Sequence, residues 1–183
     1  MKKLNITIIG LLLLLVVGCV PMATLEPAAP ANGSKFTIGA IAMVAPSSDG
    51  IGAGALPYVA YAWGNGSTEF SISSQLGFRG AVKQLIVKNA SIEGGLTIPW
   101  TIFLGDLNGS IPFTADLGLL YDINNNLTIS ARGMYGYLTS DWGHIWMGAT
   151  NLTYHQKPWL FEGGVMVLQT GGVLINFSGG YYF

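Results

Sequence analysis

The segment Val173-Leu-Ile-Asn-Phe-Ser-Gly-Gly-Tyr-Tyr-Phe183 decides the reading of the chain. In an extended strand side chains alternate between two faces. Val173, Ile175, Phe177, Gly179, Tyr181 and Phe183 then share one face, and Leu174, Asn176, Ser178, Gly180 and Tyr182 the other. The same period recurs upstream. Ile92, Leu96, Ile98 and Trp100 oppose Ser91, Glu93, Gly95 and Thr97. Leu117, Leu119 and Tyr121 oppose Thr114, Asp116 and Gly118, and Ile129, Ala131, Tyr135 and Tyr137 oppose Thr128, Ser130 and Arg132. Phe70, Ile72 and Phe78 oppose Ser71, Ser73 and Arg79. From Lys35 onward no long apolar run and no helical period competes with this pattern.

Turn chemistry divides the alternating stretches into two sets. Gly64–Ser67, Lys88–Ser91, Asp122–Asn126 and Gln156–Pro158 form one; Ala45–Gly54, Gly77–Gly80, Gly105–Ser110, Thr139–His144 and Gln169–Gly172 form the other. The sets interleave, as the two rims of an up-and-down barrel require. Ten strands result, near 36–44, 55–63, 68–77, 80–88, 91–103, 110–122, 126–138, 145–156, 159–168 and 173–183. Residues 80–88 alternate poorly and also suit a helical turn, so eight or twelve strands remain open. The expected fold class is all-β, an up-and-down antiparallel transmembrane β-barrel.

Alternation alone does not say which face is wet. A soluble barrel turns its apolar face inward, whereas a membrane barrel turns it to lipid. Composition favours the second. Charged residues make up 9% of the chain, against roughly 25% in an ordinary soluble domain. The less apolar face carries mostly Gly, Ser, Thr, Ala and Asn, which fit a narrow interior better than a water surface. Aromatic residues gather near strand ends (Trp63, Trp100, Tyr121, Trp146, Tyr154 and Trp159), as interfacial girdles do. A net charge of −1 provides no basic face to neutralise phosphates, which argues against nucleic acid as a partner.

The N-terminus reads as a targeting segment. Lys2 and Lys3 precede an apolar run from Ile6 to Val17, followed by Gly18-Cys19, the order of a secretory signal. The run is short of the ~20 residues of a transmembrane helix. Cys19 is the single cysteine, so no internal disulfide is possible. Its position after Gly18 resembles the bacterial lipobox, although Val16 stands where Leu is commoner. That resemblance implies a Gram-negative lipoprotein handled by lipoprotein-processing enzymes, with residues 1–18 as signal peptide and Cys19 as the lipidation site. Residues 19–34, rich in Pro and Ala, read as a flexible tether, and 35–183 as the barrel domain. A lipid anchor on a spanning barrel is redundant; an early trafficking role, or a tether that fills part of the barrel, would reconcile the two.

Phe177, Tyr181 and Phe183 resemble the assembly signal of bacterial outer-membrane β-barrel proteins, with Gly179 in place of a usual large apolar residue. The resemblance implies outer-membrane localisation in contact with outer-membrane lipid, and recognition of the last strand by the barrel-assembly machinery.

On the inward face the pattern places Arg79, Lys83, Glu93, Asp116, Asp122, Arg132, His155 and Glu162. Buried charges must pair, so an interior polar network is expected: Asp116 with Arg132, Lys83 with Glu93 across one turn, and His155 with Glu162 across another. The expected role is structural, or limited solute passage through a lumen filled by side chains. Neither cofactor nor metal site is indicated, since two His without neighbouring ligands do not make one, and no catalytic residue is assigned. Two alternatives remain: a lipid-anchored soluble β-barrel that binds an apolar ligand, and an outer-membrane hydrolase using His155.

Overall fold

The computed structural model describes residues 25–47, 50–75, 77–100, 113–137 and 143–183. Cys19 and the expected signal peptide lie outside the described residues. The strands are β1 (Asn32–Ser47), β2 (Gly50–Asn65), β3 (Thr68–Ser74), β4 (Gly77–Val87), β5 (Ala90–Pro99), β6 (Phe113–Asn124), β7 (Leu127–Tyr137), β8 (His144–Gln156), β9 (Trp159–Leu168) and β10 (Val173–Tyr182). Each pairs antiparallel with its sequence neighbours. β1 pairs with β10 from Thr37↔Tyr182 to Val44↔Ile175, and this closes the barrel. The all-β up-and-down architecture is therefore as the alternation predicts, with ten strands.

Residues 80–87 are strand, not helix, and Lys88 lies in the turn that follows. Their poor alternation has a local cause: the β4–β5 register shifts between Leu85 and Val87. A bulge of this kind inserts an extra residue and breaks the period of two. A second shift lies between Asp122 and Asn124. β1 and β2 are longer than expected, 16 residues each, because their pairing runs unbroken from Asn32↔Asn65 to Ser47↔Gly50. At the rim that carries the start of β1 and the end of β10, side chains shape the tight turns. Asn65 Oδ1 accepts from the N–H of Ser67 (3.0 Å) and Thr68 (2.8 Å) around Gly66 at φ 82°. Asn124 Oδ1 accepts from the N–H of Asn126 at 2.8 Å.

The polarity is that of a membrane barrel. Outward-pointing Leu117 and Phe177 are each 59% exposed, while inward-pointing Glu93 is 1% exposed and Arg79 4%. Large apolar side chains point outward around the ring, among them Ile38, Val59, Ile72, Val82, Leu96, Leu119, Ile129, Leu152, Val165 and Ile175's strand neighbour Phe177. A soluble monomer rarely exposes a contiguous apolar patch beyond a few hundred Å², and this belt runs around the whole barrel. Two aromatic girdles bound it. At the rim of the short turns, Trp63 stacks with Tyr61 and Phe70, and Tyr181 meets Trp159 and Phe183 edge-on. At the other rim Phe78 packs on Trp100, and His144 lies against Tyr135 and Tyr137. This arrangement overturns the soluble-barrel alternative, which needs the apolar face inside and the polar face in water.

The lumen is not uniformly polar, however. Inward residues of β1, β2 and β7–β10 form an apolar cluster that includes Ile41, Met43, Tyr58, Met134, Met147, Met166 and Leu174. Charged residues line the inner wall of β3–β7. Unbranched methionine side chains fill irregular gaps, which suits a narrow lumen closed by side chains.

With Cys19→Ser as background, Leu96→Cys, Leu117→Cys and Ile129→Cys in intact membranes are expected to resist a water-soluble maleimide and to react after unfolding in denaturant. Rapid labelling of all three in the folded, membrane-bound protein would overturn the lipid-facing assignment.

Candidate functional site

The inward charges form two clusters, and both arise from the same alternation that builds the wall. The deeper one unites four side chains on four consecutive strands: Arg79 (β4), Glu93 (β5), Asp116 (β6) and Arg132 (β7). Arg79 holds Asp116 with two parallel hydrogen bonds, Nε to Oδ2 at 3.0 Å and Nη2 to Oδ1 at 2.7 Å. It also donates to Glu93 Oε1. Arg132 donates from Nη1 to Asp116 Oδ1, and from both Nη1 and Nη2 to Glu93 Oε1 at 3.2 Å. Two guanidiniums and two carboxylates cancel in charge. Arginine's planar fork makes such paired contacts at low cost in ordering.

Glycines make room for the cluster. A Cβ at Gly95 would lie 2.6 Å from Arg79 Nε, and one at Gly118 would lie 3.4 Å from Arg132 Nε. Of the adjacent glycines Gly94 and Gly95, it is Gly95 over which the Arg79 guanidinium lies.

The second cluster sits nearer the rim of the short turns and has a member from outside the strands. Lys83 does not pair with Glu93, although the two are register partners. Its Nζ instead meets Glu69 Oε1 at 2.9 Å and Glu26 Oε2 at 2.8 Å. Glu26 belongs to the segment Leu25–Ala31, which enters the lumen. Glu69 was legible in principle, because it continues the inward positions Ser71 and Ser73 of β3. Glu26 was not, because its segment has no periodicity.

His155 and Glu162 are also separate. Glu162 is opposite Thr153 in the β8–β9 register and accepts its hydroxyl proton at 2.8 Å. His155 Nε2 lies 3.0 Å from Thr128 Oγ1 and 4.0 Å from Asp122 Oδ1. Thr, His and Asp in contact invite comparison with a hydrolytic triad, but the order is wrong. Thr128 donates its one hydroxyl proton to Asp122, so His155 Nε2 can only donate to the hydroxyl oxygen. Activation of a nucleophile needs the reverse, with the imidazole accepting that proton. Among the described residues no three His, Cys, Asp or Glu side chains are placed to hold a metal ion. Of the expected assembly-signal residues, Phe177 points outward to lipid, and Tyr181 and Phe183 belong to the aromatic girdle.

No protein-family model matches the sequence, and no curated protein is similar to it in sequence. Solved structures do match by fold. The KdgM porin aligns with a TM-score of 0.50 at 13% identity, over 82% of this chain and 99% of that one. Pseudomonas putida OprB aligns with a TM-score of 0.45 at 11% identity, over 81% of this chain and 55% of that one. Neisserial surface protein A aligns with a TM-score of 0.37 at 11% identity, over 82% and 96%. The closed ten-strand barrel, its inverted polarity and the KdgM match give the chain the fold of the bacterial outer-membrane β-barrels.

Proposed function

We infer that this chain is an outer-membrane β-barrel lipoprotein, anchored through Cys19, with a structural role and at most limited solute passage. The observation that carries this reading is the occupied lumen. The Arg79–Asp116–Arg132–Glu93 cluster spans the β4–β7 wall, the methionine-rich cluster fills the opposite wall, and Leu25–Ala31 crosses the rim of the short turns. These three groups occupy both walls and one mouth of the lumen, which supports a path narrower than that of an open porin. In this reading the rim that carries the start of β1 and the end of β10 faces the periplasm, where a lipid on Cys19 would enter the inner leaflet of the outer membrane. The barrel-assembly machinery would read β10 through Phe177, Tyr181 and Phe183.

The hydrolase alternative has little support, since His155 is placed to donate to Thr128 rather than to accept from it. In a planar bilayer the purified protein is expected to show conductance far below that of an open porin. A large, steady open state in the wild-type chain would overturn the closed-lumen reading. Cys19→Ser is expected to abolish incorporation of labelled palmitate while the barrel stays in the membrane and keeps its heat-dependent mobility in SDS gels. Palmitate retained in that variant would refute anchoring at Cys19.

The ionic cluster yields a stability prediction. Arg132→Met leaves Asp116 and Glu93 short of a partner in a buried site, which costs about 3–5 kcal/mol. The midpoint of urea unfolding in detergent should fall accordingly. The double variant Arg132→Met/Asp116→Leu should lose less than the sum of the two single changes, because it removes one positive and one negative charge together. Strict additivity would show that the two side chains do not interact.

A further inference from the structure

Leu25–Ala31 belongs to no strand, yet the lumen holds it as a binding protein holds a peptide. Three carboxylates accept its main-chain N–H groups. Glu162 accepts from Leu25 at 3.1 Å, Asp122 from Ala28 at 3.0 Å and Glu69 from Ala31 at 2.6 Å. These carboxylates stand on β9, β6 and β3, spaced three, three and four strands apart around the ring. The wall also donates. Ser91 Oγ gives a hydrogen bond to the Ala28 carbonyl at 2.6 Å, and Lys83 Nζ gives one to the Pro27 carbonyl at 3.3 Å.

Recognition is therefore mostly of backbone. The residues without an N–H, Pro27 and Pro30, fall where no carboxylate waits. Two side chains of the segment are read as well. Glu26 meets Lys83, and Leu25, fully buried, packs over Gly180, where a Cβ would stand 3.1 Å from Leu25 Cδ1. The site is self-consistent only when filled. Without a peptide, Glu69, Asp122 and Glu162 keep Lys83, Thr128 and Thr153 as partners, but each loses one charge-assisted hydrogen bond from main chain, which is costly.

We propose that the mouth of the barrel formed by Glu69, Lys83, Ser91, Asp122 and Glu162 is a peptide-binding site, and that Leu25–Ala31 is its tethered and exchangeable ligand. The ligand class is a bent, small-residue, proline-containing segment that carries one carboxylate. Tethering keeps the segment at an effective concentration in the millimolar range, so the site in the intact chain is closed to free peptide. This proposal does not depend on whether Cys19 is lipidated or on the conductance of the barrel.

The test uses the full chain with Leu25–Ala31 replaced by a Gly/Ser stretch of the same length, its folding checked by heat-dependent SDS mobility. The probe is a fluorescent synthetic peptide, Leu-Glu-Pro-Ala-Ala-Pro-Ala. Saturable binding is expected to the replaced chain, with wild type at least about tenfold weaker because its own segment competes. The same peptide with Glu26→Gln should bind the replaced chain about tenfold more weakly, the loss expected for one charge-assisted hydrogen bond. No binding to the folded replaced chain, equal binding to both chains, or equal binding of the two peptides would overturn the proposal. If the replaced chain fails to fold, thiol labelling in otherwise intact Cys19→Ser protein decides. Buried Ala28→Cys should be protected and exposed Ala29→Cys should react; equal rates would overturn the proposal.

Discussion

A backbone amide in hydrocarbon has no water to bond with, so every N–H and C=O of a spanning strand must find its partner in another strand. The pairing of β1 with β10 meets that demand for the whole ring. Closure makes the sheet a tube, and a tube has an inside. Once lipid takes the outer face, the inner face must collect whatever is polar, charged or small. The two ionic clusters, the glycines beneath the arginines and the segment that crosses one mouth all follow from that division of space.

The interior then faces its own constraint. Five inward carboxylates (Glu69, Glu93, Asp116, Asp122 and Glu162) are enclosed with four inward strand cations (Lys35, Arg79, Lys83 and Arg132). Arg79 and Arg132 neutralise Glu93 and Asp116 at mid-depth. The remaining carboxylates lie nearer the rim of the short turns, where Lys83 pairs with Glu69 but not with Asp122 or Glu162. The N–H groups of Leu25, Ala28 and Ala31 provide the missing donors, and Glu26 provides a second anion for Lys83. Hydrogen bonding by neutral backbone thus completes what ion pairing leaves unfinished. This explains physically why a stretch with no strand character lies in an ordered place.

Side-chain accounting also separates this lumen from a simple polar channel. The charged wall of β3–β7 faces a wall of β1, β2 and β7–β10 in which the apolar cluster shares the inner face with Lys35 and Glu162. Such an interior resembles the core of a soluble protein on one side and a buried salt-bridge network on the other. Large-to-small changes in the methionine-rich cluster would therefore act on packing, whereas changes on the charged wall act on electrostatics.

The amino-acid sequence by itself determined the strand-forming period, the interleaved turns and the outward or inward side of most residues, because a period of two is a local property of the extended backbone. It also placed Arg79, Lys83, Glu93, Asp116, Arg132, His155 and Glu162 on the inner face. It did not determine which of them meet. Lys83 passes over its register partner Glu93 to reach Glu69 and Glu26, and His155 turns to Thr128 while Glu162 turns to Thr153 and Leu25. The β4 bulge left 80–88 open between strand and helical turn, since one extra residue shifts the phase. The course of Leu25–Ala31 had no periodic signal at all. Only the closed ring brings β3, β6 and β9 around one mouth, and only there do carboxylates far apart in sequence converge on a single stretch of backbone.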